Sequence, residues 1–591
     1  MNFDNLYARF CRFAGRWRSL RDFQKPSNEL ERNLELIDLG VGPREVIAFA
    51  FLGIIFGTVI IGVILGITLI LNFSLVTMLV LIPLPVLLYF VIGFYPKWRA
   101  EKERNKNLKL FPHLINYLSV SLKINPNLEE AANFSASQDR VRVKDFRSEV
   151  WKASIGVYAG VEEALSRFVQ RWKEGNKEFK RSVDLLKSSI SEKDDSARSK
   201  ILDRALNTVF EGVQNQMEDF VADIQLPTVM IYGIGVLLPL ILLAVLPVLS
   251  SSGFQLSGLE LALVYCLLIP SVIYFLKKQV LSNRPAAFFS TEIPSEDDFK
   301  QAFCLSCAIF LIPTLTVLFL NMSRTIEVMV VLWSLTSGIS GFCHLSSEKT
   351  LKIRKMNEEL EEEFCSALTQ LGNQFKRNRP PEDVFRRTAE IMKGSEVSKI
   401  LKKTSANIRT GGMNTGSALF DDRKGSLNNV HSHTINNTFR MITNLLGRST
   451  RVTGEAILLI ANHLKRLTEV EKQIRRTLQD IVSSMKSVVF FFAPLIASIT
   501  VQLQDLLSEK TKDMVFFGGG LVKVSSSTFL AVLGFYIIIL TTVLTSYIVE
   551  IENGDDWLLK RVMLAKTIPI SMIVFSFGLV IGREILTVLV G

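Results

Sequence analysis

The chain has 591 residues, of which 48% are hydrophobic and only 21% are charged. Soluble domains carry about 25% charged residues, and the mean hydropathy of this chain is +0.28. The net charge is +11, from 68 Lys and Arg against 57 Asp and Glu. Because the apolar residues are concentrated in long uncharged runs, a soluble globular enzyme and a disordered chain are both excluded.

Nine apolar runs meet or approach the length of about 20 residues that a helix needs to cross a bilayer. They are 46–71, 74–95, 226–250, 256–276, 302–320, 328–344, 487–503, 528–549 and 567–581. The sixth and the ninth are the shortest. The sequence therefore predicts an all-α integral membrane protein with about nine transmembrane helices.

Basic residues near the helix ends indicate the orientation. Lys and Arg follow the second, fourth and sixth runs and separate the eighth from the ninth, whereas the opposite loops are short and nearly free of charge. Only the loop between the seventh and eighth runs is sizeable on that other side. This pattern places the N-terminus in the cytoplasm of a multi-pass protein of the cell membrane.

Two large polar blocks, 97–225 and 345–486, then lie in the cytoplasm. Their apolar residues recur at helical spacing, as in Leu114, Leu118 and Leu122, so each block is predicted to be an antiparallel helix bundle. The acidic run 358–363 is expected to form the exposed start of a helix. The predicted divisions are an amphipathic cytoplasmic segment 1–45, helix pairs 46–95, 226–276, 302–344 and 487–549, the bundles 97–225 and 345–486, and a last helix in 567–591.

The two blocks resemble each other in sequence. The segment 111–118 aligns with 364–371, and Lys123, Asn125 and Glu129 align with Lys376, Asn378 and Glu382 at the same separation. The first three membrane runs map onto the fifth, sixth and seventh. The chain is therefore interpreted as two parallel copies of one unit, with a ninth helix appended.

The aligned segments, 111–132 and 364–385, also resemble the opening helix pair of the type II secretion system F domain. The pattern is an apolar helix, a short turn and a second helix that begins with acidic residues. It is present in 122–131 and more loosely in 375–384. Asn stands where the family often has Gly, and Asn also adopts the left-handed conformation that closes a helix. A second similar element is 160–168.

The resemblance implies a platform protein of a type IV filament, and nine helices are more typical of the archaeal pilus and archaellum versions. Such a platform is not an enzyme, and the sequence has no recognisable catalytic, cofactor or metal site. The implied partners are a cytoplasmic hexameric secretion ATPase, pilin-like filament subunits and membrane lipid, without nucleic acid. The alternative is a membrane scaffold or transporter-like protein unrelated to filaments.

Small residues at four-residue spacing predict close helix packing in the membrane. The candidate packing residues are Gly53, Gly57, Gly62, Gly66, Gly578 and Gly582. The spacing fits two arrangements, a contact within one protomer and the seam of a homodimer.

The two bundles differ in charge. Block 97–225 holds 23 Lys and Arg against 20 Asp and Glu, whereas block 345–486 holds 25 against 16. The candidate ATPase-docking residues in the second block are Lys376, Arg377, Arg379, Arg386, Arg387, Lys472, Arg475 and Arg476. A solvated face beside anionic lipid is the alternative explanation of this charge.

The N-terminal segment is amphipathic. One predicted helical stripe contains Phe3, Tyr7, Phe10, Phe13 or Ala14, Trp17 and Leu20, and another contains Arg9, Arg12 and Arg16. A helix of this kind is expected to lie on an anionic leaflet near the first bundle, or to dock on a bundle.

Overall fold

The computed structural model describes residues 3–17, 26–37, 39–70, 83–108, 111–138, 144–171, 177–239, 241–242, 257–282, 284, 299–319, 322–446, 450–513 and 525–590. All regular structure in these residues is helical. Eight of the described helices are long and apolar enough to cross a membrane. The protein is therefore an all-α, multi-pass membrane protein. The eight helices overlap all the predicted runs except 74–95, whose first half lies outside the described residues.

The first described helices are two short ones, α1 (Phe3–Ala14) and α2 (Asn28–Ile37), and two long ones, α3 (Pro43–Ile70) and α4 (Pro83–Leu108). α3 and α4 pack on each other, α1 packs on α3, and α2 packs on α4. Pro43 is the first residue of α3, where the N–H that proline lacks would have no acceptor within the helix.

Bundle one consists of six helices. They are α5 (Phe111–Ile124), α6 (Leu128–Gln138), α7 (Lys144–Ser154), α8 (Val161–Arg171), α9 (Lys177–Ile190) and α10 (Asp195–Tyr232). Asp194 caps α10, because its carboxylate accepts hydrogen bonds from the N–H groups of Ser196 and Ala197. The helices enclose a core of Leu and Phe side chains, in which Phe111 stacks on Phe179.

Bundle two also consists of six helices. They are α14 (Glu348–Lys376), α15 (Pro381–Ile391), α16 (Glu396–Arg409), α17 (Thr415–Phe420), α18 (His433–Leu446) and α19 (Thr450–Ser487). The first and last of these, α14 and α19, form the closest helix pair of the bundle. The acidic run 358–363 lies in the middle of α14, so the expectation that it starts a helix is wrong; the chain is already helical from Glu348.

The last helix of each bundle runs into the membrane without a break. α10 and α19 each have 38 residues, and each continues into a π-helical stretch, Gly233–Leu237 and Val488–Phe492. The predicted boundaries at 225 and 486 therefore lie within or at the end of a continuous helix rather than in a loop. Each bundle is therefore joined to the membrane region by a continuous helix.

The remaining membrane helices are α11 (Gly258–Ser282), α12 (Phe299–Phe319), α13 (Arg324–Leu345), α20 (Ala493–Asp513), α21 (Ser526–Asn553) and α22 (Trp557–Val590). α21 is the most buried of them, and it packs against α11, α13, α19, α20 and α22. Polar side chains join it to its neighbours: the Tyr536 hydroxyl donates to the Gly235 carbonyl, and Thr541 bonds Ser571.

The two bundles relate differently to the membrane helices. The core of bundle two is continuous with that of the membrane region, from Phe364 and Phe439 through Leu478 to Tyr547 and Phe575. Most of bundle one is enclosed in a separate core. The two cores meet where α10 and α5 pack on α19. Bundle two is thus built into the membrane region, whereas bundle one is attached to it chiefly through α10.

A close approach of α14 and α19 gives a first prediction. A Cβ at Gly454 would lie 2.5 Å from the Lys376 backbone nitrogen and 2.8 Å from the Gly372 carbonyl oxygen. We expect Gly454→Ala to separate the helices at a cost of about 1–3 kcal/mol. The check is a lower thermal midpoint of the detergent-solubilised protein.

Gly160→Ala is the matched control, because a Cβ at Gly160 meets no atom within 4 Å. An unchanged midpoint in Gly454→Ala would contradict the close packing of α14 on α19.

Candidate functional site

The predicted basic residues of bundle two form two separate clusters. The turn cluster consists of Lys376, Arg377, Arg379, Arg386 and Arg387. The α19 cluster consists of Lys472, Arg475 and Arg476. The Lys376 backbone lies beside Gly454 near the start of α19, and Lys472 lies about 27 Å further along that helix at 1.5 Å per residue. The two clusters therefore lie at different levels along α19.

The turn between α14 and α15 is fixed by its own sequence. Asn378 has a φ of +57°, in the left-handed region, and its side chain accepts a hydrogen bond from the Thr450 hydroxyl. Pro381 occupies the first turn of α15. In bundle one, Asn125 does not adopt the left-handed conformation. The predicted role of Asn is therefore confirmed only at Asn378.

Intrahelical partners reduce the charge of part of the turn cluster. Arg386 pairs with Asp383 at 3.1 Å and Glu390 at 2.9 Å, and Arg387 lies 4.0 Å from Asp383. The hydrogen bond from Arg386 lowers the pKa of Asp383 below its ordinary value. In the described part of the chain, the cluster bases without a carboxylate partner are Lys376, Arg377, Arg379, Lys472 and Arg476.

The corresponding position of bundle one is neutralised. Lys123 pairs with Asp203 at 2.8 Å, whereas its counterpart Lys376 is exposed at the end of α14. In the α19 cluster, Arg475 pairs with Glu471 at 3.0 Å. Among the predicted docking residues, the bases of the turn between α14 and α15 are thus the group that keeps its positive charge without a carboxylate partner.

Four of the predicted packing glycines contact helices of the same chain. A Cβ at Gly53 would meet Ile92, and one at Gly57 would lie 3.0 Å from Pro85, both on α4. A Cβ at Gly578 or Gly582 would meet Ser498 or Gln502, respectively, on α20.

The other two packing glycines show no contact of this kind among the described residues. A Cβ at Gly62 would meet no described atom within 4 Å, and Gly66 lies outside the residues whose side chains are described. The packing that the structure places at these glycines is within one protomer, and a homodimer seam stays a prediction.

The sequence pattern did not point to the junction between α21 and α22. We call this junction the acidic loop; it consists of residues 550–556, which are the last turn of α21 and the three residues that follow it. Its conformation depends on Gly554, which has a φ of +79° and lies against Arg284. The guanidinium of Arg284 donates to the backbone carbonyls of Ile551 and Glu552 at 2.8 and 3.4 Å. Asp556 then caps α22 by accepting from two backbone N–H groups.

Bases from four other helices converge on the acidic loop. Their pairs are Lys102 of α4 with Asp555 at 2.6 Å, Lys277 of α11 with Glu550 at 3.1 Å, Arg354 of α14 with Asp556 at 2.5 Å, and Lys486 of α19 with Glu552 at 3.2 Å. Lys560 of α22 bridges Glu550 and Asp555. The acidic loop therefore joins membrane helices to both ends of bundle two.

The Arg354–Asp556 pair is the most buried link between bundle two and the loop. The two side chains are 8% and 9% exposed. Burial opposes the charge on Arg354, but hydrogen bonds from Arg354 to Asp556 and Glu358 outweigh it and raise the pKa of Arg354. Burial likewise opposes the charge on Asp555, yet Lys102 and Lys560 hold its pKa well below the usual range.

The interface between the bundles contains a buried histidine. His463 of α19 is 4% exposed, its ring lies 5.8 Å from that of His113 and 5.5 Å from that of Phe210, and neither ring nitrogen has a hydrogen-bond partner. Burial, with the nearby His113 and Arg466, lowers the pKa of His463 well below its ordinary value. Arg466 itself donates to Asn207 of α10 across the same interface.

Comparison of the chain with models of protein families, with characterised proteins and with solved structures gave no match. Within the described residues, no three His, Cys, Asp or Glu side chains are grouped so that they could hold a metal ion. The features of the structure that bear on function are the arrangement of the bundles, the basic clusters and the acidic loop.

The buried ion pair gives a second prediction. Asp556→Asn keeps a residue that caps a helix but removes the charge opposite Arg354. We expect a loss of up to about 3 kcal/mol in stability, because the buried guanidinium of Arg354 then keeps only the more exposed carboxylate of Glu358 as a counter-charge. Thermal unfolding of the purified protein is the measurement.

The exposed pair of Glu348 and Lys352 supplies the control. Glu348→Gln should leave the thermal midpoint nearly unchanged, because an exposed ion pair contributes little to stability. Equal effects of Asp556→Asn and Glu348→Gln would show that the acidic loop is not a structural anchor.

The buried histidine gives a third prediction. Because the folded-state pKa of His463 is below the unfolded value, the unfolded state binds the extra proton as the pH falls below about 6.5. Stability attributable to His463 is thus present above that pH and is lost below it, by about 1.4 kcal/mol between pH 7.5 and 5.5. The thermal midpoint should fall over this range, and His463→Leu should reduce the fall.

His344→Gln, at an exposed position, is the control and should leave the fall of the midpoint unchanged. An unaltered dependence of the midpoint on pH in His463→Leu would refute the assignment.

Proposed function

We propose that this protein is the membrane platform of a type IV filament assembly machine, of the archaeal pilus or archaellum kind. In this role it couples a cytoplasmic hexameric secretion ATPase to the insertion of pilin-like subunits into the filament. It catalyses no reaction itself. Its N-terminus and both bundles face the cytoplasm, and the protein resides in the cell membrane.

The observation that carries the proposal is the common plan of the two bundles. Both have six helices in the same order, and both end in a 38-residue helix that enters the membrane through a π-helical stretch. We interpret this plan as a duplication of one unit. Paired helix bundles connected to membrane helices are the architecture implied by the resemblance to the type II secretion system F domain.

The turn cluster is the proposed docking site for the ATPase. Exposed unpaired bases attract acidic surfaces over a distance set by the ionic strength, so they steer a partner toward one face. Bundle one has a neutralised Lys123 at the equivalent position. The proposed docking is therefore specific to bundle two, and it is expected to weaken at high salt.

The acidic loop supports the coupling part of the proposal. Arg354 and Lys486 attach the first and the last helix of bundle two to the loop between α21 and α22. A force on bundle two would therefore reach those two membrane helices through ion pairs, and α20 through the continuous helix. A platform that inserts subunits needs such a mechanical connection between its two parts.

A fourth prediction tests the docking site. Reversal of Arg377, Arg379, Arg386 and Arg387 to Glu should abolish both pull-down of the ATPase and filament formation, because the attraction becomes repulsion. Membrane insertion should remain that of the wild type, since these side chains are half-buried or exposed. Thermal stability should fall slightly, because Glu at positions 386 and 387 repels Asp383 and Glu390, with which the two Arg residues pair. Pull-down at rising salt concentration provides a second measurement of the same interaction.

The matched control reverses four exposed bases of bundle one: Lys177, Lys180, Arg181 and Lys200. It changes the net charge by the same amount and should leave both activities intact. Reversal of the α19 cluster in a separate variant tests whether that cluster also binds the ATPase. Normal filaments in the turn-cluster variant would exclude the turn as the docking site, and normal filaments without the protein would favour an unrelated membrane scaffold or transporter-like role.

A further inference from the structure

Helix α1 has three different faces. The first face packs against the protein, since Tyr7, Cys11 and Ala14 are each at most 4% exposed. The second face carries three aromatic side chains in open contact with the surroundings: Phe10 is 48%, Phe13 54% and Trp17, just after the helix, 55% exposed. Only part of the predicted stripe is therefore buried, because Tyr7 and Ala14 face inward while Phe10, Phe13 and Trp17 point away. The side chains of Phe3 and Leu20 lie outside the described residues.

The third face is basic. It carries the exposed side chains of Arg9, Arg12 and Arg16. At 100° per residue these positions lie directly beside the aromatic face and opposite the buried one. An exposed aromatic stripe with adjoining Arg residues is the pattern of a helix that lies in a membrane interface, where the guanidinium groups reach the headgroups.

Contacts with α3 and α4 fix the level of α1 relative to the membrane. At one end, Asp4 pairs with Arg99 at 3.1 Å and accepts from the Tyr95 hydroxyl at 2.6 Å. At the other end, Gly15 lies against Glu45. Both ends of α1 thus touch charged residues that flank the apolar parts of α3 and α4.

The middle of α1 touches the apolar parts of the same two helices. The Tyr7 hydroxyl donates to the Ile92 carbonyl at 2.9 Å, and Phe10 stacks on Phe49 with ring centroids 5.7 Å apart. α1 therefore crosses α3 and α4 at the boundary between their apolar and charged residues. These contacts place α1 on α3 and α4, and its predicted position near bundle one stays a prediction.

We infer that the Phe10, Phe13 and Trp17 face of α1 is inserted in the interfacial layer of an anionic phospholipid leaflet, with the three Arg residues bound to lipid phosphates. The inference does not depend on the proposed filament function. An anionic leaflet is the partner because the basic face of α1 is positively charged and because α1 is held at the boundary between the apolar and the charged residues of α3 and α4. The helix would fix the height of α3 and α4 in the bilayer.

The test uses the full-length protein reconstituted in vesicles of phosphatidylcholine with or without phosphatidylglycerol. A photo-crosslinking amino acid, p-benzoylphenylalanine, replaces Phe13 in one variant and Trp17 in another. Trp151 of bundle one is the matched control position, because it is an aromatic residue with a similar exposure of 60%. Lipid adducts on the purified protein are counted by mass spectrometry.

We expect lipid adducts at positions 13 and 17 and none at position 151. Omission of phosphatidylglycerol, or replacement of the three Arg residues by Gln, should reduce the yield several-fold. Absence of adducts at both α1 positions would overturn the insertion. Equal yields with and without phosphatidylglycerol would overturn the binding of anionic lipid, and adducts at position 151 equal to those at 17 would overturn the specificity of α1.

Discussion

The acidic loop between α21 and α22 is the point on which the arrangement of the other parts depends. It brings four carboxylates to the ends of the membrane helices, and bases from α4, α11, α14 and α19 bind them. Each base comes from a different helix, so the loop links the membrane helices α4 and α11 to the first and the last helix of bundle two. Several of the pairs are largely buried, and a buried charge without its partner is strongly destabilising. The helix ends are consequently fixed relative to one another.

This anchoring makes the two bundles unequal. Bundle two shares a continuous apolar core with the membrane helices and is tied to the acidic loop at both ends, whereas most of bundle one lies in a core of its own. The interface between them is partly polar, with Arg466 on Asn207 and an unpartnered His463. In the proposed platform, bundle two would transmit force and bundle one would adjust to it.

Local pattern predicted much of the molecule. Apolar run length located the membrane helices, because hydrogen bonds inside a helix are the only way for most backbone groups to be satisfied in lipid. Helical spacing predicted that both polar blocks are helical, and the Asn at 378 predicted a left-handed turn that the structure has. The same reasoning failed at Asn125, where the chain turns without that conformation, and at the acidic run in α14, which lies inside a helix rather than at its start.

The sequence alone determined which segments are helical and which are apolar, because both properties depend on neighbours within a few turns. The basic residues after the membrane runs were also visible, but they were interpreted only as signals of orientation. Their role as partners of the acidic loop depends on contacts such as that of Lys102 with Asp555, which are 453 residues apart in the chain. The inward turn of Tyr7, the separation of the two basic clusters and the merging of bundle two with the membrane core likewise required the tertiary structure. Only the packing of distant helices decides which charges meet and which faces are left for lipid.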